Sequence, residues 1–100
     1  MDNKYLNLLG LAFRARKITL GEPAIIEDIR SKQAKLILIA NDASSNTKKK
    51  LIDKSRSYHV PYFIVDDRQT ISQAIGQEGR VAVAIKDVGF AEKLKQLLSD

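Results

Sequence analysis

Two stretches of this chain leave little choice of fold. Leu36-Ile37-Leu38-Ile39-Ala40 and Val81-Ala82-Val83-Ala84-Ile85 are continuous apolar runs of five residues each. Neither alternates with polar residues, so neither suits a strand with one wet face. Each reads as a strand buried on both faces. Runs this short are far from the length needed to cross a bilayer. A strand covered on both sides needs helices on both sides, and the rest of the sequence supplies helical patterns.

Tyr5, Leu8, Leu9, Ala12 and Phe13 recur at helical spacing, with Asp2 as a candidate cap. Arg14, Arg16 and Lys17 follow at the end of that helix, where cations suit its dipole. Lys17 to Leu20 reads as a short strand that Gly21 ends. Glu22 and Pro23 open a second helix, because proline needs no hydrogen-bond partner in a first turn. Ile25, Ile26 and Ile29 form its apolar face. The polar turn Asn41 to Asn46 leads into a third helix from about Thr47 to Tyr58. Its inward residues are Leu51, Ile52 and Ser55, and Lys49 can pair with Asp53. Val60-Pro61 breaks that helix, and Tyr62 to Val65 is the next strand. Thr70 is the candidate cap of a short helix carrying Ile71, Ala74 and Ile75, which Gly76 closes. Phe90, Leu94, Leu97 and Leu98 mark a last amphipathic helix. This order predicts one domain over residues 1–100. Its class is α/β, a three-layer α/β/α sandwich around a central mixed sheet of about four strands.

The composition closes off several chemistries. There is no cysteine, so disulfides, thiolate metal sites and a cysteine nucleophile are excluded. That usage is compatible with a reducing cytoplasm, the expected compartment. The polar start, followed by a periodic pattern, reads as no signal peptide, and no membrane segment is expected. His59 is the only histidine and stands at a helix end, so no histidine pair exists for zinc or iron. There is no G-x-S-x-G turn, no Walker loop and no G-x-G-x-x-G. Asp42, Asp66 and Asp67 follow strands, where open α/β sheets bind ligands. A magnesium-dependent enzyme built on Asp42 and Asp66 is one reading; turn formation and helix capping are the simpler one. The expectation is a protein that is not an enzyme and uses no cofactor, metal or small-molecule substrate.

Charge points to a polyanion. The net charge is +5, and the excess is one-sided. Residues 1–56 hold 12 basic and 6 acidic side chains, whereas residues 57–100 hold 5 and 6. Each neutralised phosphate releases counterions, so a one-sided basic surface favours nucleic acid. Lys48-Lys49-Lys50, with Lys54 and Arg56, is more simply the solvated face of a helix. Arg14, Arg16 and Lys17 cluster before a glycine turn and are the better phosphate contacts. Gly76-Gln77-Glu78-Gly79 has the GxxG spacing of a backbone-clamping loop, which a helix cap and a turn also produce. The few aromatics are not interleaved with the charges, which argues against a single-strand stacking platform. Folded RNA or duplex shape remains.

Four segments together resemble the kink-turn RNA-binding superfamily of ribosomal proteins, the L-seven-Ae and L-thirty-e group. They are Leu9 to Ala12 with Arg14 to Lys17 and Gly21; Ala34 to Ala43; Val60-Pro61-Tyr62; and Ala74-Ile75-Gly76 followed by Arg80 to Ile85. Asp42 to Lys50 and the ending Gly89-Phe90-Ala91 are most similar to its short bacterial YlxQ branch. The resemblance implies an α/β/α sandwich that binds structured RNA, with ribosomal RNA among the possible partners. It implies that the strand-to-helix turn at Gly21 to Glu27 reads guanines of a kink-turn. A second loop, Gly76 to Val81, would cover an extruded base.

The reading element departs from the family's pattern. The glycine is present as Gly21, but the family's asparagine, glutamate and lysine positions hold Pro23, Ala24 and Glu27. Proline and alanine offer no side-chain hydrogen bond, and Glu27 replaces a cation by an anion. Glu22 stands two positions before the family's glutamate. The expected RNA-binding residues are therefore Arg14, Arg16, Lys17, Gly21, Glu22, Pro23, Gly76, Gly79 and Arg80, recognising shape more than bases. The alternative is a protein-interaction module on the same fold that has lost kink-turn specificity.

Overall fold

The structure, a computed structural model, describes residues 4–99. The expected cap Asp2 lies outside the described residues. The first half of the chain runs α1 (Lys4–Arg14), β1 (Ile18–Leu20), α2 (Glu22–Arg30) and β2 (Leu36–Ile39). Then come α3 (Ser45–Ser57), β3 (Tyr62–Ile64), α4 (Arg68–Ile75), β4 (Ala82–Ile85) and α5 (Val88–Ser99). The strands form one sheet in the order β1-β4-β2-β3. β4 is antiparallel to both β1 and β2, and β2 is parallel to β3, so the sheet is mixed as expected.

The two apolar runs are the two central strands. All of β2 and β4 is buried, whereas the edge strands β1 and β3 are only partly covered. That position explains why these runs carry no polar alternation. Their side chains divide between the two faces with period two. Leu36, Leu38, Val83 and Ile85 pack with Tyr5, Leu9, Ile71, Ile75, Ala91 and Leu94, which places α1, α4 and α5 on one face. Ile37, Ile39, Ala82 and Ala84 pack with Ile25, Ile29 and Leu51, which places α2 and α3 on the other.

Helix ends follow local chemistry with one correction. Ser44 caps α3, its hydroxyl accepting from the Thr47 amide at 3.1 Å. The α4 cap is Asp67 and not Thr70: Asp67 is extended, and its carboxylate accepts from the Thr70 amide at 2.8 Å. Thr70 is thus the donor at the third helical position. Gly76 closes α4 in the left-handed conformation, as expected. Lys49 and Asp53 pair at 3.5 Å on the solvent side, an exposed contact worth little.

Two contacts fix α1 against α4 and the turn after β3. Gly10 lies so close to α4 that a Cβ there would meet the Ala74 carbonyl oxygen at 2.7 Å. The Tyr5 hydroxyl donates to Asp66, beyond the end of β3. Burial, and then that hydrogen bond, push the Tyr5 phenol above its ordinary 10.0.

Gly10→Ala should therefore destabilise the protein by about 1–3 kcal/mol in urea unfolding, despite the better helix propensity of alanine. An unchanged or raised midpoint would show that α1 and α4 can separate freely. For Tyr5 the folded state holds the proton more tightly than the unfolded chain does. Its contribution is complete below pH 10.0 and is lost as pH rises beyond it. Between about pH 9 and pH 11, the urea midpoint of the native protein should fall more steeply than that of Tyr5→Phe.

Candidate nucleic-acid interface

The register brings four connections to one end of the sheet. Leu20 pairs with Val83, and Ile39 pairs with both Ala82 and Ile64. β1, β2 and β3 therefore finish where β4 begins. This loop end carries Gly21, the turn 41–44, the turn 65–67 and the loop 76–81. Helices α2, α3 and α4 also start here, so their free amides and positive dipole ends gather on the same side.

Gly21 turns the chain from β1 into α2 with φ 90°, a region that favours glycine. No atom other than its chain neighbours lies within 4 Å of where its Cβ would stand, so a ligand can approach its backbone. Glu22 bridges two helices. One carboxylate oxygen accepts from the Thr47 hydroxyl at 3.3 Å and the other from the Lys50 ammonium at 3.1 Å. Facing them, loop 76–81 bends at Gly76 and Gly79, both with positive φ. The buried Ser72 hydroxyl pins this loop by accepting from the Arg80 amide at 2.9 Å.

Between the two loops lies a cavity of about 170 Å³. Gly21, Glu22, Thr47, Gly79 and Arg80 line it above an apolar floor that includes Ile25 and Leu51. The Arg80 Nε is buried and has no hydrogen-bond partner among the described residues. An unpaired buried cationic donor is costly, so this group departs from the usual pairing of buried polar atoms. A wider groove of about 550 Å³ runs between α1 and α4, with Arg14 on its border, and shares no residue with the cavity.

The structure separates the expected residues, with Arg14 on the groove between α1 and α4. Gly21, Glu22, Gly79 and Arg80 meet around the cavity, while Pro23 and Gly76 do not line it. Arg16 and Lys17 lie at the other end of β1, where the Lys17 carbonyl accepts from the Lys86 amide. The strand puts roughly 13 Å between Lys17 and Gly21. Pro23, Ala24 and Glu27 are exposed on the outside of α2. Thr47 and Lys50 were not foreseen. Lys50 belongs to a run read as a solvated face, and nothing local links it to Glu22, a partner 28 residues away.

The aspartates near the loop end all have structural work. Asp42 accepts from the Arg68 amide at 2.9 Å and pairs with its guanidinium at 3.4 Å. Asp66 holds Tyr5, and Asp67 caps α4, where the Thr70 amide keeps its carboxyl below the usual 3.8. No group of three or more histidine, cysteine or acidic residues able to hold a metal occurs among the described residues. His59 is exposed at the end of α3 with φ 59°. No described helix is long and apolar enough to cross a membrane.

Known proteins resemble the chain over nearly its full length. The RNA-binding protein YlxQ of Bacillus subtilis is 52% identical over 95 residues, which are 95% of each chain. The protein of that name in Enterococcus faecium is 50% identical, over 95% of this chain and 91% of that one. The large ribosomal subunit protein eL8 of Thermoplasma volcanium is 30% identical, over 94% and 78%. A solved structure from Bacillus halodurans, of a protein with unknown function, superposes with a TM-score of 0.96 at 41% identity, covering 99% of this chain and all of that one. The Giardia lamblia 15.5kD RNA binding protein shares the fold at a TM-score of 0.83 and 16% identity, over 99% and 91%. Residues 3–95 match the sequence model of the ribosomal protein L7Ae/L30e/S12e/Gadd45 family, and the chain belongs to that family.

Proposed function

We propose that this protein binds structured RNA at its loop end, as a non-enzymatic, ribosome-associated protein of the cytoplasm whose preferred target is a kink-turn-like bend. The observation that carries this reading is the cavity between Glu22 and Arg80, with the Arg80 Nε buried and unpartnered beside it. The relatives named as RNA-binding proteins and as a large-subunit ribosomal protein support the same class of partner.

Each residue has a chemical role in this reading. Gly21 has no side chain to hold RNA away from the backbone. The Arg80 guanidinium donates to a phosphate or a base acceptor, a strong charge-assisted contact in a partly dry site. Glu22 keeps lone pairs beyond those given to Thr47 and Lys50, and a guanine edge presents the matching donors. The helix starts around the cavity add partial positive charge. Pro23 and Ala24 present no polar side-chain atom, and Glu27 presents an anion. Fewer base contacts are available than in a full reading element. Discrimination therefore rests on Glu22, on backbone groups and on the shape of the bend.

The test compares a kink-turn RNA with a control whose sheared G·A pairs are replaced by Watson–Crick pairs, at two salt concentrations. Submicromolar binding that favours the kink-turn is expected. Glu22→Ala should cut that preference by about 1–3 kcal/mol, and Arg80→Ala should weaken binding to both RNAs. Equal, salt-sensitive binding to both would reduce the function to general RNA binding. Binding to neither, even at low salt, would overturn it in favour of a protein partner.

A further inference from the structure

The far end of the sheet carries a second concentration of charge that the loop-end site does not use. Ile18 and Leu36 both pair with Ile85, so the next residues outward are Lys17, Lys86 and Lys35, side by side across β1, β4 and β2. Two backbone hydrogen bonds hold this row in place: the Lys86 amide donates to the Lys17 carbonyl at 2.8 Å, and the Lys35 amide to the Ile85 carbonyl at 2.7 Å. Neighbouring strands lie about 4.8 Å apart. Ile18, Ile85 and Leu36 pack towards α1, α4 and α5. The Lys35 ammonium turns the other way and reaches the Lys32 carbonyl, just past α2.

Like charges placed directly opposite across strands repel. All three lysines are exposed, and none makes an ion pair among the described residues. Two acids stand near in sequence or on the neighbouring helix: Asp28 accepts from the Thr19 hydroxyl, and Asp87 accepts from the Phe90 amide at 2.9 Å at the start of α5, and neither forms an ion pair with these lysines. Arg16 extends the row, held exposed by a left-handed turn with φ 61°. Arg30, Lys54 and Arg56 have the ordinary reason for standing at helix C-termini, the dipole. Lys17 also follows the end of α1, its amide donating to the Ala12 carbonyl at 3.0 Å, and Lys35 follows α2, so the dipole accounts for part of their placement. Lys86 precedes a helix start and has no such reason. Together the three make a line of cations that no ion pair among the described residues neutralises.

We infer that Lys17, Lys86 and Lys35 form a second RNA-contacting surface, which grips the phosphate backbone of a duplex at the end of the sheet opposite the loops. The inference rests on the RNA-binding reading above and extends it. The loop end would select the RNA by shape, and the lysine row would hold a neighbouring stem without reading its sequence.

The decisive variant is Lys17→Gln, Lys35→Gln, Lys86→Gln, tested on a plain RNA duplex of about 16 base pairs across a range of salt. A charge-matched control, Lys49→Gln, Lys93→Gln, Lys95→Gln, removes the same charge elsewhere. The row variant should lower the slope of log affinity against log salt by about 2–3, while the control changes it little. Its thermal midpoint at low salt should be no lower than that of the native protein, because repulsion has been removed. Equal slopes for the native protein and the row variant would overturn the inference. So would an equal drop in the control, or failure of the native protein to bind the duplex at low salt. The kink-turn preference is read separately as a ratio of two affinities, so loss of that preference with an intact row effect would count against the loop-end reading alone.

Discussion

Leu36, Ile37, Leu38 and Ile39 have no exposure to water, and neither do Val83, Ala84 and Ile85. Two adjacent strands with no wet face constrain everything around them. One layer of helices cannot dry both sides, so α1, α4 and α5 cover one face while α2 and α3 cover the other. The connections run through α2 and α3 on one face and then through α4 on the other, and each turns back at an end of the sheet. The mixed order then brings three strand ends and one strand start to the same end. The candidate site lies at that end because burial of both faces leaves the turns between elements as the exposed backbone there.

Polar contacts then give the loop end a defined shape. Ser72 holds the backbone of Arg80 from α4, and Arg68 ties the start of α4 to the turn at Asp42. Glu22 joins the first turns of α2 and α3. The two walls of the cavity therefore hang from different helical layers, one on each face of the sheet. Tyr5 adds a tie from α1 through Asp66, whose carbonyl also accepts from the Asn41 amide. A net of contacts between sequence-distant residues, not one rigid loop, sets the distance between Glu22 and Arg80.

Much of the fold was legible because its causes are local. Continuous apolar runs announced the central strands, and helical spacing announced α1, α2 and α5. Gly76 announced the end of α4. The start of α4 was misplaced by three residues because Asp67 and Thr70 are both competent caps, and only backbone conformation decides between them. The site was legible in part. Gly21 and Arg80 could be named from a resemblance, but the Glu22 clamp could not. Its partners Thr47 and Lys50 are 25 and 28 residues away, and no spacing rule reaches that far. The same limit hid the division of the basic residues. Arg16 and Lys17 look adjacent to Gly21 in sequence, yet a strand is an extended spacer, and three residues of it send the two groups to opposite ends.

α2 presents two unlike faces, and the contrast has a consequence for how such a protein changes over time. Ile25 and Ile29 are fully buried, whereas Pro23, Ala24 and Glu27 touch little besides solvent. The residues that bury the helix and the residues that face solvent are thus interleaved in sequence and separate in space. Replacements at positions 24 and 27 leave the core intact, while Pro23 also serves the first turn of the helix. An exposed helix face beside the proposed site can therefore change its chemistry while the scaffold goes on folding.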